Sequence, residues 1–148
     1  MIRFYGQAPG SRANGGAFEG SALLVELADV PEHVLRSRVE FRNLLSEYPG
    51  RKRDGKGDLF PIKEARAAAD REMERWREAD MIVFAGREVA RAFGLAAAAP
   101  WFEWEILGLE DGYVVEVAVF PHPSGASRFW NDAANRDAAA AFLRELIK

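Results

Sequence analysis

Cysteine is absent from the 148 residues. That excludes disulfides, thiol nucleophiles and metal clusters held by thiolates. Histidine is nearly absent: His33 and His122 are far apart in the chain. A metal site built on imidazole is therefore not expected, although carboxylates alone suffice for magnesium. No apolar run approaches the roughly 20 residues of a membrane-spanning helix. The opening residues, Met1-Ile2-Arg3-Phe4-Tyr5-Gly6, lack the charged and long apolar regions of a signal peptide. No membrane partner is expected, and cytoplasmic residence is the default. An excess of basic charge is missing too. The net charge of −3 argues against the broad basic surface of general nucleic-acid binders, but not against a local basic patch.

What is present points to a globular chain. Apolar residues make up 49%, with ten Phe and four Trp, enough for one sizeable core in one domain spanning residues 1–148. No repeat or linker divides it. Ile2 to Tyr5 reads as a strand, followed to Gly20 by a loop dense in Gly, Pro, Ser and Asn. Ser21 to Ala28 has helical character. Val39 to Leu45 reads as a second strand, and Tyr48 to Phe60 as a loop rich in Gly and charge. Pro61 suits a first helical turn. From Ile62 to Ala79, the residues Ile62, Ala65, Ala69, Met73 and Trp76 recur at helical spacing on one face. Met81 to Ala85 is a continuous apolar run that fits a strand buried on both faces. A short helix over Arg87 to Phe93 ends at Gly94. Trp101 to Leu107 is ambiguous, with a short strand as one reading. Tyr113 to Phe120 is a strand, and Asn131 or Asp132 caps a last helix running to about Ile147.

Strands alternating with helices predict a mostly parallel sheet covered on both faces. Ligand sites in such sheets lie outside the carboxyl ends of the strands. The loops Gly6–Gly20, Asn43–Phe60 and Pro121–Asn131 carry the small and polar residues and are expected to converge there.

Within these loops, each candidate has two readings. Gly6-Gln7-Ala8-Pro9-Gly10 is either a tight ligand-approaching loop or an ordinary strand-to-helix turn. It matches neither the dinucleotide fingerprint nor a phosphate P-loop. His122 stands between Pro121 and Pro123, which stiffen its loop. A lone histidine favours a structural role, but its position beside Ser124 and Gly125 at a strand's carboxyl end favours function. Asn43 can donate and accept at once, as reading a nucleobase edge requires, or it caps a loop. Phe18 stacks on a planar ligand or plugs the core. Arg51-Lys52-Arg53 with Lys56 contacts phosphates or is a solvated loop. The charged helix from Glu64 to Asp80 reads as an exposed face with i,i+4 pairs.

Taken together and in order, these elements resemble the uracil-DNA glycosylase superfamily. Gly6-Gln7-Ala8-Pro9-Gly10 resembles its first signature, and His122-Pro123-Ser124-Gly125, continued by Ala126-Ser127-Arg128-Phe129-Trp130-Asn131, its second. Phe18, Asn43 and the strand Met81–Ala85 fall between them in matching order, so the likeness covers essentially the whole chain. It implies a three-layer α/β/α sandwich around a mostly parallel four-stranded sheet. It implies a monofunctional enzyme of base excision and DNA repair, monomeric and without a cofactor, that flips a modified base from DNA and leaves an abasic site. Phe18 would stack on the base, Asn43 would bond its Watson–Crick edge, and Gly6, Ala8, Pro9 and Gly10 would line the pocket. His122 would donate to the base oxygen that gains charge, while Gln7 contacts the base or positions water. Ser124, Gly125, Ser127, Arg128 and Arg12 would face the DNA backbone or the space the base leaves.

Three departures refine this expectation. Ala8 stands where several branches carry Asp or Asn, so water activation falls to Gln7 or is weak. Branches with Ala there often hold an iron–sulfur cluster, which a chain without cysteine cannot. Ala126 replaces a frequent Leu wedge. Gly10 stands where the most uracil-specific branch has a Tyr that rejects a 5-methyl group, so a 5-substituted pyrimidine would fit. Two alternatives accompany the glycosylase: a module of the same fold that binds a base without cleaving it, and a hydrolase of free nucleosides or nucleotides.

Overall fold

The computed structural model describes residues 1–9, 21–123 and 128–148, with the Ser21 side chain excepted. Its strands are β1 (Ile2–Gly6), β2 (Val39–Asn43), β3 (Met81–Ala85), β4 (Glu105–Gly108) and β5 (Val114–Phe120). Its helices are α1 (Ser21–Ala28), α2 (Glu32–Arg38), α3 (Ile62–Met73), α4 (Arg87–Ala92) and α5 (Ala133–Leu146), with a 3-10 turn at Arg128–Asn131. The strands form one sheet in the order β2-β1-β3-β5-β4. β2, β1, β3 and β5 are parallel to their neighbours, and β4 runs antiparallel to β5. Among the described residues the sheet thus has five strands, not the expected four. The additional strand comes from the ambiguous 101–107 segment and begins only at Glu105. Its side chains are mostly exposed, so no buried alternation marks it in the sequence.

Alternation along the pleat sorts the apolar side chains into two cores. Phe4, Val39, Val83, Ala85 and Phe120 pack with Leu24, Leu35 and Leu143 from α1, α2 and α5. Tyr5, Ile82, Phe84, Val115 and Val117 pack with Ala65, Ala69 and Val89 from α3 and α4. Helices therefore cover both faces.

Several boundaries differ from expectation. α3 ends at Met73 and not near Ala79. Trp76 lies beyond its end, yet is 1% exposed, and its indole N–H donates to the Tyr5 hydroxyl at 2.9 Å. The apolar face was read correctly, but a turn completes it. Pro61 precedes the first turn of α3 as its N-cap. α2 has no counterpart in the sequence reading. It is short, and only Leu35 is buried along it. At the last helix Asp132, not Asn131, is the cap, and its carboxylate accepts the Ala134 N–H at 2.8 Å.

Candidate functional site

The parallel register levels the carboxyl ends of four strands. Gly6 lies opposite Asn43, Tyr5 opposite Phe84, and Ala85 opposite Phe120. The loops leaving β1 and β2 are joined by backbone bonds: the Leu44 N–H donates to the Gly6 carbonyl and the Leu45 N–H to the Gln7 carbonyl, both at 2.8 Å. Gln7 and Asn43 thus both stand at the carboxyl ends of adjacent strands, one residue apart in register. Gly6 and Pro9 are buried, while Gln7, Ala8 and Asn43 are half-buried. Ala8 packs against the α3-side core.

On the β3–β5 side, the Gly86 N–H donates to the Phe120 carbonyl at 2.7 Å. Gly86 adopts φ +97°, and a β-carbon there would lie 3.6 Å from the His122 β-carbon. His122 therefore lies directly against the start of α4. Pro121 and Pro123 are buried and His122 is half-buried between them. The Trp130 indole N–H donates to the His122 carbonyl at 3.0 Å, and Trp130 itself packs on Phe120. A backbone bond behind the ring and two prolines beside it fix where the imidazole emerges. Arg128 is exposed at the start of the 3-10 turn.

Of the predicted residues, Gly6, Gln7, Ala8, Pro9, Asn43 and His122 all lie at this one edge, and Arg128 follows in the histidine loop. Gly10, Arg12, Phe18, Ser124, Gly125 and Ser127 lie outside the described residues. Three residues not anticipated join the edge. The Gln7 amide donates to the Glu88 carboxylate at 3.3 Å, which ties the first loop to α4. The Arg87 guanidinium lies 3.9 Å over the Trp101 ring, and Trp101 meets Phe129 edge-on. Gly86-Arg87-Glu88 follows a buried strand at the ligand edge, so its position was readable. Trp101 reaches the edge through a bridge to Val119, a contact without a local signal.

The charged support lies one residue below the edge. Tyr5 and Arg42 are opposite one another in the register and share Glu72 of α3. Arg42 grips that carboxylate through Nε and Nη2, the shorter bond being 2.7 Å, and the Tyr5 hydroxyl donates to it at 3.1 Å. Burial pushes the Tyr5 hydroxyl well above its usual range, and the Glu72 charge adds to that while the Trp76 N–H opposes it. Burial also raises the Glu72 carboxyl, but the hydrogen bonds and charge of Arg42 outweigh it and hold it below its ordinary value. The bonded Glu72 carboxylate raises Arg42 in turn. Further along the face, Arg3 pairs with Glu40 at 3.0 Å and lies 3.6 Å from Asp80.

The basic stretch forms a small hairpin, with the Leu59 N–H bonded to the Gly50 carbonyl and the Lys52 N–H to the Gly57 carbonyl. Arg51, Lys52, Arg53 and Lys56 are all exposed, and Arg51 bonds the Gly55 carbonyl. A cleft of about 420 Å³ lies nearby, between Leu44–Pro49 and α3. Among the described residues, no group of three His, Cys, Asp or Glu side chains is arranged to hold a metal, and no helix is long and apolar enough to cross a membrane.

Chemically, the edge offers side-chain amides at Gln7 and Asn43, an imidazole at His122 and a carboxylate at Glu88. Amides and an imidazole suit the in-plane donors and acceptors of a heterocycle. Compared with known proteins, the chain matches no protein-family model and no curated protein.

Proposed function

We propose that this protein is a monofunctional DNA glycosylase of the uracil-DNA glycosylase type, which hydrolyses the N-glycosidic bond of uracil or a related modified base flipped from DNA. One observation supports the reading: Gln7, Asn43 and His122 follow separate strands, yet lie at the same carboxyl edge of a parallel sheet whose ordered motifs resemble that superfamily. In this reading the three-layer fold is of that superfamily's type.

Rupture of the glycosidic bond leaves an oxocarbenium-like sugar and an anionic base. His122, held from behind by Trp130, donates to the base oxygen that gains charge. A preorganised donor of this kind is worth roughly 3–4 kcal/mol. Asn43 bonds the base edge and Phe18 stacks on its face. Extrusion of the base costs a few kcal/mol, offset by Ser124, Gly125, Ser127, Arg128 and Arg12 on the DNA. Gln7 positions the attacking water. With Ala8 in place of a carboxylate, Glu88 is the acid bonded to Gln7. The reaction needs no cofactor.

The test is release of base from single- and double-stranded oligonucleotides containing uracil, hydroxymethyluracil, hypoxanthine or xanthine, with free deoxyuridine as a further arm. Abasic product is expected from at least one oligonucleotide. Its absence from all of them defeats the reading, and cleavage of deoxyuridine alone favours a nucleoside hydrolase. The packing of Ala8 against the core favours a second reading, a base-binding module without catalysis. Tight oligonucleotide binding with no turnover would select it.

A further inference from the structure

Among the described residues, strand β4 is bonded on one side only. Its register with β5 sets Glu105 opposite Val117 and Gly108 opposite Val114, and the Leu109 N–H extends the ladder to the Tyr113 carbonyl at 2.8 Å. Bonded and non-bonded pairs alternate in antiparallel ladders. The odd-numbered residues therefore bond β5, and the backbone groups of Ile106 and Gly108 point outward. β4 is last in the sheet, so among the described residues no strand pairs with that edge.

Several apolar side chains along the edge are open. Ile106 is 67% exposed, and Trp104, Tyr113 and Val114 are exposed with it. A cleft of about 450 Å³ next to the start of β4 is lined by Phe102, Trp104 and Phe142. A second, of about 660 Å³, lies by its end on the α3 side. There Phe93 and Leu107 are joined by four carboxylates, Asp70, Glu74, Glu110 and Asp111.

Charge selects the occupant of this edge. From Ala92 to Ser127 the chain has no Lys or Arg, but carries Glu103, Glu105, Glu110, Asp111 and Glu116. Among the described residues no ion pair neutralises any of these, or Asp70 or Glu74. Pairing β4 with β4 of a second copy would set these carboxylates against one another, and like charges across strands destabilise. A basic strand gains where an acidic one loses.

We propose that the β4 edge docks an extended segment of another protein in which Lys or Arg alternates with apolar residues, added as a sixth strand. Its backbone bonds Ile106 and Gly108. Apolar side chains on one face cover Ile106 and Val114. On the other face the aliphatic stem of a Lys or Arg lies along Leu107, with its head among the four carboxylates. Such docking requires nothing of the glycosylase chemistry.

The experiment titrates the protein into a fluorescent peptide that alternates Lys with Val and follows anisotropy. A Glu/Val peptide and a Lys/Val peptide N-methylated along its bonding edge serve as controls. The Lys/Val peptide is expected to bind saturably, more weakly as salt screens the charges, with both controls about ten-fold weaker or worse. Ile106→Lys, and separately the double change Glu74→Arg with Glu110→Arg, should each weaken binding about ten-fold. All three positions are exposed, and circular dichroism checks that each variant is folded. No saturable binding, equal binding of the Glu/Val peptide, or indifference to the Arg variants would overturn the proposal. So would a dimer in sedimentation that Ile106→Lys dissociates, because a second copy would then cover the edge.

Discussion

Gly86 has φ +97° and ψ 158°, a combination open essentially to glycine alone and costing other residues about 1–3 kcal/mol. Space is not the difficulty, since an added β-carbon would meet His122 at an ordinary 3.6 Å. Gly86→Ala is therefore expected to lower unfolding free energy by about 1–3 kcal/mol, read from urea denaturation. His122 should behave in the opposite way. What ties its loop to Trp130 is the backbone carbonyl, which survives a side-chain change. His122→Ala should then slow base release by roughly 10²–10³ while moving stability by less than about 1 kcal/mol. Equal loss of both would make His122 structural. The positions of Gln7 and His122 at strand ends were legible from short motifs, and that of Asn43 from the end of the second strand-like run. Glu88 was readable in its position after β3 alone; its side-chain bond to Gln7, like the cation–π contact of Trp101 with Arg87, leaves no trace in local pattern.

At the level of elements, β1, β2 and α3 are clamped through Glu72. The sign of its pH effect follows from its lowered carboxyl. The unfolded chain binds the proton more tightly, so this stabilisation is present above the ordinary value of 4.5 and is lost as pH falls through the folded value. Tyr5 acts at the other extreme. Its raised hydroxyl gives stabilisation that is present below its ordinary 10.0 and is lost as pH rises past it. Urea midpoints should therefore fall on both the acid and alkaline sides, and Glu72→Gln should flatten the acid limb. An acid limb unchanged in that variant would assign it to other carboxylates. Local pattern, in apolar runs, helical spacing and a capping residue, revealed β1, β3, β5, α3 and α5. It missed α2, where burial falls on Leu35 alone, and left β4 unresolved because that strand is mostly exposed. It ran α3 on to Ala79 because Trp76 stays in phase with the apolar face even after the helix has ended.

For the molecule as a whole, both cores are built on opposite faces of the same strands, so neither can melt while the other keeps its sheet. Far-ultraviolet circular dichroism and tryptophan fluorescence should therefore report coincident unfolding. Two separated transitions would contradict that coupling. The layered α/β plan was legible from the alternation of elements. The fifth strand was not, nor was the strand order, which no local pattern encodes. That order has a consequence for how the chain is made. β1 is synthesised before both of its neighbours, and its inner edge stays open until Met81–Ala85 arrives. Distant pairings form late, and open edges invite wrong partners meanwhile. Arg3 places a charge within that waiting strand, which discourages stray pairing. In the finished fold its guanidinium is met by Glu40 of β2 and by Asp80, the residue before β3. The charge that guards the nascent strand is thus neutralised by acids that travel with its two proper neighbours.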